Sequence, residues 1–86
     1  MYSIKYHKDA LKDIKKLKSA KLDKKALALI EILKSNPLQN PPPYESLIGD
    51  LKGSYSRRIN IQHRLVYCVD EDTKTVKILR MWSHYE

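Results

Sequence analysis

The chain holds two glycines, one cysteine and no apolar run long enough to cross a bilayer, and each shortage closes off a class of protein. With only Gly49 and Gly53 available, there is no glycine-rich phosphate loop, dinucleotide fingerprint or Gly-x-Ser-x-Gly elbow. Nucleotide cofactor binding is therefore not expected. Cys68 has no second cysteine to pair with, which excludes a disulfide framework and suits a reducing cytoplasm. Its place in the apolar run from Leu65 to Val69 reads as a buried, inert thiol. No secretory signal or membrane span is evident, so the expectation is a cytoplasmic protein without a membrane role. His7, His63 and His84 are too scattered to suggest zinc, and no acidic cluster resembles a two-magnesium centre. No metal and no cofactor are expected.

What the chain does have is positive charge. Seventeen Lys and Arg stand against ten Asp and Glu, a net charge of +7 on 86 residues. A chain of this length is expected to form one domain spanning residues 1–86, burying roughly 60–65% of its unfolded surface. The excess charge favours a polyanionic partner such as RNA, DNA or an acidic protein. A lysine-rich solubilising surface would give the same balance, so distribution matters more. The lysines crowd into residues 5–34 and the arginines into 57–80. Lysine is a point charge suited to holding a nucleic-acid backbone, whereas arginine's planar fork suits specific phosphate contact. The first half reads as a docking surface and the second as a site.

Hydrophobic periodicity orders the elements. Residues 2–7 alternate Tyr2, Ile4, Tyr6 against Ser3, Lys5, His7, which fits a strand. From Lys8 the period becomes helical: Ala10, Leu11, Ile14 and Leu17 share one face, with Lys12, Asp13, Lys15 and Lys16 elsewhere. Ser19 or Ala20 ends this helix, and Ser19 is a candidate cap for the next. Leu22, Ala26, Leu29, Ile30 and Leu33 mark a second amphipathic helix, which Asn36-Pro37 ends. Leu38 to Tyr44, with Pro41-Pro42-Pro43, is a rigid connector that cannot be helical. The glycines mark turns or bulges around a short strand. Tyr55 to Ile61 alternates, His63 to Val69 reads as a central strand, Asp70 to Lys74 as a hairpin loop, and Thr75 to Met81 as the last strand. The expected fold is α+β: a strand, a helical hairpin, then antiparallel strands in one sheet with the helices on one face.

Five residues carry groups suited to RNA chemistry: Glu45, Arg58, Arg64, His84 and Tyr85. A carboxylate, guanidinium groups and an imidazole suffice for metal-free cleavage when the substrate supplies its own nucleophile, the 2′-hydroxyl of RNA. Taken singly they are unremarkable. A lone glutamate in a loop is usually solvated, and a histidine near the end of a chain is usually incidental. Arg57 and Arg58 are adjacent in an alternating strand and so face opposite ways. Arg64 opens an apolar strand, where it must either reach the rim or meet an anion. His63 beside it is the weaker candidate, expected to be structural or solvated.

Together, these residues resemble a known family. The run Glu45-x-Leu47-x-Gly49-x-Leu51-x-Gly53-x-x-Ser56-Arg57-Arg58-Ile59, then His63-Arg64-Leu65-Val66-Tyr67 and His84-Tyr85, is similar to the YoeB/Txe branch of the RelE-type toxins. The resemblance implies a ribosome-dependent mRNA interferase, neutralised by an acidic antitoxin of the YefM/Axe type. It implies Glu45 as general base, Arg64 as the transition-state stabiliser and His84 as general acid. Arg58 would hold the scissile phosphate, and Tyr85 would orient it or stack on a base. Lys12, Lys15, Lys16, Lys24 and Lys25 are then the expected ribosome contacts, and a homodimer is compatible with the resemblance. Ile48 stands where relatives often carry lysine, Tyr55 where tryptophan is common, and Trp82 where a smaller or charged residue is usual; Glu86 follows the usual terminal tyrosine. Two other readings compete: a non-catalytic ParE-like toxin, which the acid–base set disfavours, and a plain RNA- or ribosome-binding module.

Overall fold

A computed structural model describes residues 1–47 and 53–83. The chain runs β1 (Ser3–Tyr6), α1 (Lys8–Ser19), α2 (Asp23–Ser35), β2 (Glu45–Ser46), β3 (Ser54–Arg58), β4 (Arg64–Asp70) and β5 (Thr75–Ser83). The strands make one five-stranded sheet in the order β1-β5-β4-β3-β2. The expected α+β arrangement is present, with one refinement: the sheet is mixed. β1 pairs parallel with β5, Ile4 opposite Val76, while the other pairings are antiparallel. A parallel pair needs a long crossover, and the helical hairpin supplies it.

The helices form where the sequence changes period. His7 caps α1, its Nδ1 accepting from the Asp9 amide at 3.1 Å. Lys21, at φ 60°, makes the tight link to α2. Ser19 does not cap the second helix: it ends the first, and α2 starts after Leu22 with no side-chain cap. Asn36 stops α2 as expected, its side chain accepting from the Leu38 amide.

One core joins the helices to the inner sheet face. Ala10 and Leu17 of α1, with Ala26, Ile30 and Leu33 of α2, pack on Ile59, Leu65, Tyr67, Val76, Ile78 and Met81. Fully burying an aliphatic side chain contributes about 1.5–3 kcal/mol, so this cluster is the main favourable term for the fold. Leu11, read as a core position, is instead 52% exposed, and Asp13, read as a surface position, is 1% exposed. The buried stripe of α1 runs Ala10, Asp13, Leu17, so a carboxylate occupies the place that periodicity reserved for a hydrophobe.

β3 is shorter than the alternation suggested. It stops at Arg58, and Ile59 to His63 form the turn into β4. Asn60 Oδ1 accepts from the amides of Gln62 and His63 at 2.9 and 2.7 Å, closing the turn and leaving Ile61 89% exposed. Such side-chain-to-backbone bonds let asparagine replace strand pairing. β5 runs longer than expected, to Ser83. Cys68 is half-buried rather than buried. It follows the core residue Tyr67 in β4 and pairs with Lys77, so it lies on the sheet face away from the helices.

Candidate active site

β3 and β4 place the candidate residues on one sheet face. Arg58 is directly opposite Arg64, and Ser56 is opposite both Glu45 and Val66. Cross-strand partners and i, i+2 neighbours share a face. Glu45, Ser56, Arg58 and Arg64 therefore converge on the side away from the helical core. With Pro43 and Tyr44 they line a cleft of about 60 Å3.

Glu45 is not in a loop. It opens β2, and its register with Ser56 fixes its side chain beside Arg64. Sequence alone could not show this, because a two-residue strand has no periodicity of its own. The Glu45 carboxylate lies 3.5 Å from Arg64 Nη1, with side chains 65% and 18% exposed respectively. Arg64 thus does both things expected of it, reaching the rim and meeting an anion. Arg58, directly opposite it, is exposed. Two like charges paired across a ladder destabilise a sheet unless an anion lies near both. The resting protein offers one carboxylate to this pair, and a phosphate would complete it.

The residue next to Arg58 has a different fate. Arg57 points to the inner face and is 1% exposed. Its Nε donates to Tyr67 Oη at 3.1 Å, its Nη1 to the Pro42 carbonyl at 2.6 Å, and its Nη2 to the carbonyls of Pro37 and Gln39 at 3.0 and 2.8 Å. The Tyr44 ring packs 5.1 Å from the guanidinium carbon. Tyr67 Oη in turn donates to the Pro37 carbonyl at 2.7 Å. Burial pushes the Tyr67 phenol above its ordinary range, though the hydrogen bond and charge of Arg57 oppose this, and it remains a donor. Arg57 therefore staples the proline connector to the sheet and sets where Tyr44 and Glu45 emerge. Sequence reading separated the two arginines by face but did not find this role. Its one available signal was the proline segment, whose carbonyls need donors and whose proline nitrogens provide none.

His63 is buried and structural, as expected. Its ring stacks on Trp82 with centroids 3.7 Å apart and planes 20° from parallel. His84 and Tyr85 lie outside the described residues, as do Ile48 and Gly49. The strand that leads to His84 is described as far as Ser83, which is opposite Arg64. Hence the last described residue of β5 sits across from Arg64, at the edge of the cleft. Lys12, Lys15, Lys16, Lys24 and Lys25 are all exposed on the helices, which cover the other face of the sheet. A larger cavity of about 260 Å3, lined by residues including Tyr6, Leu17, Ala26, Ile30 and Met81, lies among the helices and contains none of the predicted site residues. Among the described residues no cluster of His, Cys, Asp or Glu could hold a metal ion, and no helix is long and apolar enough to cross a membrane.

Comparison with known proteins identifies the family and the fold. The family model for the YoeB-like toxin of bacterial type II toxin-antitoxin systems matches residues 6–85. The YoeB/ParE toxin from Agrobacterium tumefaciens superposes with a TM-score of 0.87 at 27% identity, covering 96% of this chain and 99% of that one. YoeB from the Staphylococcus aureus YoeB-YefM complex is 35% identical, with a TM-score of 0.81 and 99% of both chains covered. The Staphylococcus aureus YoeB dimer is 36% identical, with a TM-score of 0.82 and 98% of both chains covered. Among curated proteins none matches the chain significantly. The matched residues include the whole Glu45, Arg58 and Arg64 cleft and the strand that leads to His84, and the chain belongs to the YoeB-like toxins of bacterial type II toxin–antitoxin systems.

Proposed function

We propose that this toxin is a ribosome-dependent mRNA endoribonuclease that works by metal-independent acid–base chemistry. The observation that carries the reading is the cleft itself: one exposed carboxylate faces a cross-strand pair of guanidinium groups at the edge of the sheet. Glu45 takes the proton from a 2′-hydroxyl, whose oxygen attacks the adjacent phosphorus. Arg64 and Arg58 hold the phosphate as its equatorial oxygens gain charge. His84 protonates the departing 5′-oxygen, and Tyr85 orients the phosphate or stacks on a base. One proton enters and one leaves, so the step balances without a metal. General acid–base groups contribute about 10²–10⁴-fold each, and aimed cationic or hydrogen-bonding groups about 10²–10³-fold.

The resting ion pair fits this role. Arg64 engages Glu45 before substrate binds, and an incoming phosphate competes for the same guanidinium. Binding RNA would therefore release the carboxylate beside the 2′-hydroxyl. The exposed lysines of α1 and α2 would hold ribosomal RNA phosphates, a contact that is sequence-independent and salt-sensitive. An acidic antitoxin of the YefM type is the expected neutralising partner, because solved YoeB occurs with YefM. A homodimer is the expected free form, as in the solved YoeB dimer.

The test is to incubate purified toxin with translating ribosomes and map the mRNA ends. The expected result is ribosome-dependent cutting that Glu45→Gln or His84→Gln abolishes. Undiminished cutting by both variants sinks the residue assignment. Translation arrest without cutting would favour a toxin that acts by binding.

A further inference from the structure

The far end of β5 is held by a carboxylate from α1. Two register shifts interrupt the β4–β5 ladder: Val66 is opposite Arg80, Tyr67 opposite Ile78, and Arg64 opposite Ser83. β5 thus carries one extra residue in each interval, and the bulged strand turns amides away from β4. Asp13 collects them. Its Oδ2 accepts from the Met81 amide at 2.9 Å, the Trp82 amide at 3.2 Å and Arg80 Nε at 3.0 Å. Arg80 Nη2 lies 3.4 Å from its Oδ1.

We propose that Asp13 is a positioning residue: its carboxylate fixes the bulged end of β5 as far as Ser83, and through it Arg64 on the neighbouring strand. This rests on the nuclease reading above. Three observations support it. Asp13 is buried within the helix–sheet core, where an anion is tolerated only when paired and hydrogen-bonded, so removing its charge disturbs the strand end that supplies those bonds. The Arg80 partner is 44% exposed, so the ion pair alone contributes little; the directed bonds are those to two backbone amides. Finally, Trp82 stacks on His63, and the next residues on the two strands, Ser83 and Arg64, are cross-strand partners. A displaced strand end therefore shifts Ser83 and its cross-strand partner Arg64 together. A displacement near 1 Å in a reacting group costs about 10²-fold in rate.

The experiment compares Asp13→Asn with Arg80→Gln. Asparagine keeps the size but offers one neutral carbonyl to two amides; the Arg80 variant removes the ion pair and leaves both amide bonds. Ribosome-dependent cleavage is measured on folded protein, together with emission from Trp82, the chain's one tryptophan. For Asp13→Asn, kcat should fall about 10–100-fold with KM for ribosomes within about twofold, and Trp82 emission should shift as the ring leaves His63. Arg80→Gln should stay within about threefold of the unmodified toxin. Wild-type kcat in Asp13→Asn overturns the proposal, and so does an equal loss in Arg80→Gln. If Asp13→Asn does not fold, hydrogen exchange in the unmodified toxin decides. Slow exchange at the Met81 and Trp82 amides supports the clamp, and exchange as fast as at exposed loop amides overturns it. Failure of the unmodified toxin to cut mRNA would overturn the nuclease reading instead, and exchange and emission would then judge the clamp alone.

Discussion

Arg57 and Arg58 are adjacent in β3, yet the pleat sends one beneath the proline connector and the other to the open sheet face. On the inner face a guanidinium is consumed by structure. Its donors go to the carbonyls of Pro37, Gln39 and Pro42 and to Tyr67, all neutral oxygens, so it holds a loop that cannot pair by itself. On the outer face the same side chain stands opposite a second arginine, with one carboxylate near the pair. The contrast shows that residue type does not separate a structural charge from a functional one. What separates them is whether the donors find acceptors within the protein or are left to find them in a substrate.

Mutations should split along that line. The largest effect belongs to the proposed acid–base pair: Glu45→Gln or His84→Gln should lower cleavage about 10²–10⁴-fold, with denaturant midpoints nearly unchanged. Loss of stability as large as loss of activity would move Glu45 to the structural class. Next is Arg57→Ala, which takes the guanidinium donors from the Gln39 and Pro42 carbonyls and leaves Pro37 with Tyr67 alone, and should cost about 3–5 kcal/mol of unfolding free energy in urea titrations. Arg58→Ala should cost no more than about 0.5 kcal/mol by the same measure, yet lower cleavage about 10²-fold, as should Arg64→Ala. Equal stability losses in Arg57→Ala and Arg58→Ala would erase the comparison.

Acid should test Asp13, the other buried charge. Burial alone would raise its carboxyl pKa; the Arg80 hydrogen bond, the Met81 amide, the charge of Arg80 and the Trp82 amide together outweigh this and hold it below the ordinary value. A carboxylate with a lowered folded pKa contributes stability that is present above its unfolded value, about 4, and is lost as pH falls through the lower folded one. Urea midpoints measured downward from pH 6 should therefore fall more steeply below about pH 4 in the unmodified toxin than in Asp13→Asn. Parallel curves would contradict this. The smallest expected effects are at the helical lysines. Reversing Lys12, Lys15, Lys16, Lys24 and Lys25 should weaken ribosome association and lower its salt slope by roughly 0.7–0.9 for each phosphate no longer neutralised. An unchanged slope would make these lysines merely solubilising.

Much of this was legible in the sequence, for physical reasons that vary by element. β1, α1 and α2 were readable because each buries one face of a regular repeat. Glu45, Arg58 and Arg64 were readable as a set through their resemblance to a family, and Arg57 and Arg58 were correctly divided because the pleat has period two. The failures share a cause. Asp13 looked like surface because the amides it serves lie 68 and 69 residues away, in a bulge that no local pattern announces. Glu45 looked like loop because its strand exists only by pairing with Ser56 and Tyr55. Leu11 looked like core because its face was inferred without knowing that Asp13 would turn inward. Each depends on a contact between segments far apart in sequence.

The most direct test of the central claim, that the outer face of the sheet cuts RNA by acid–base chemistry through the 2′-hydroxyl, is end-group analysis of mRNA cut on translating ribosomes. Attack by the internal hydroxyl predicts 5′-hydroxyl ends and 2′,3′-cyclic phosphates, or the 3′-phosphates to which these open. Products with 5′-phosphate and 3′-hydroxyl ends would contradict the account, because they require water, not the RNA itself, as the nucleophile.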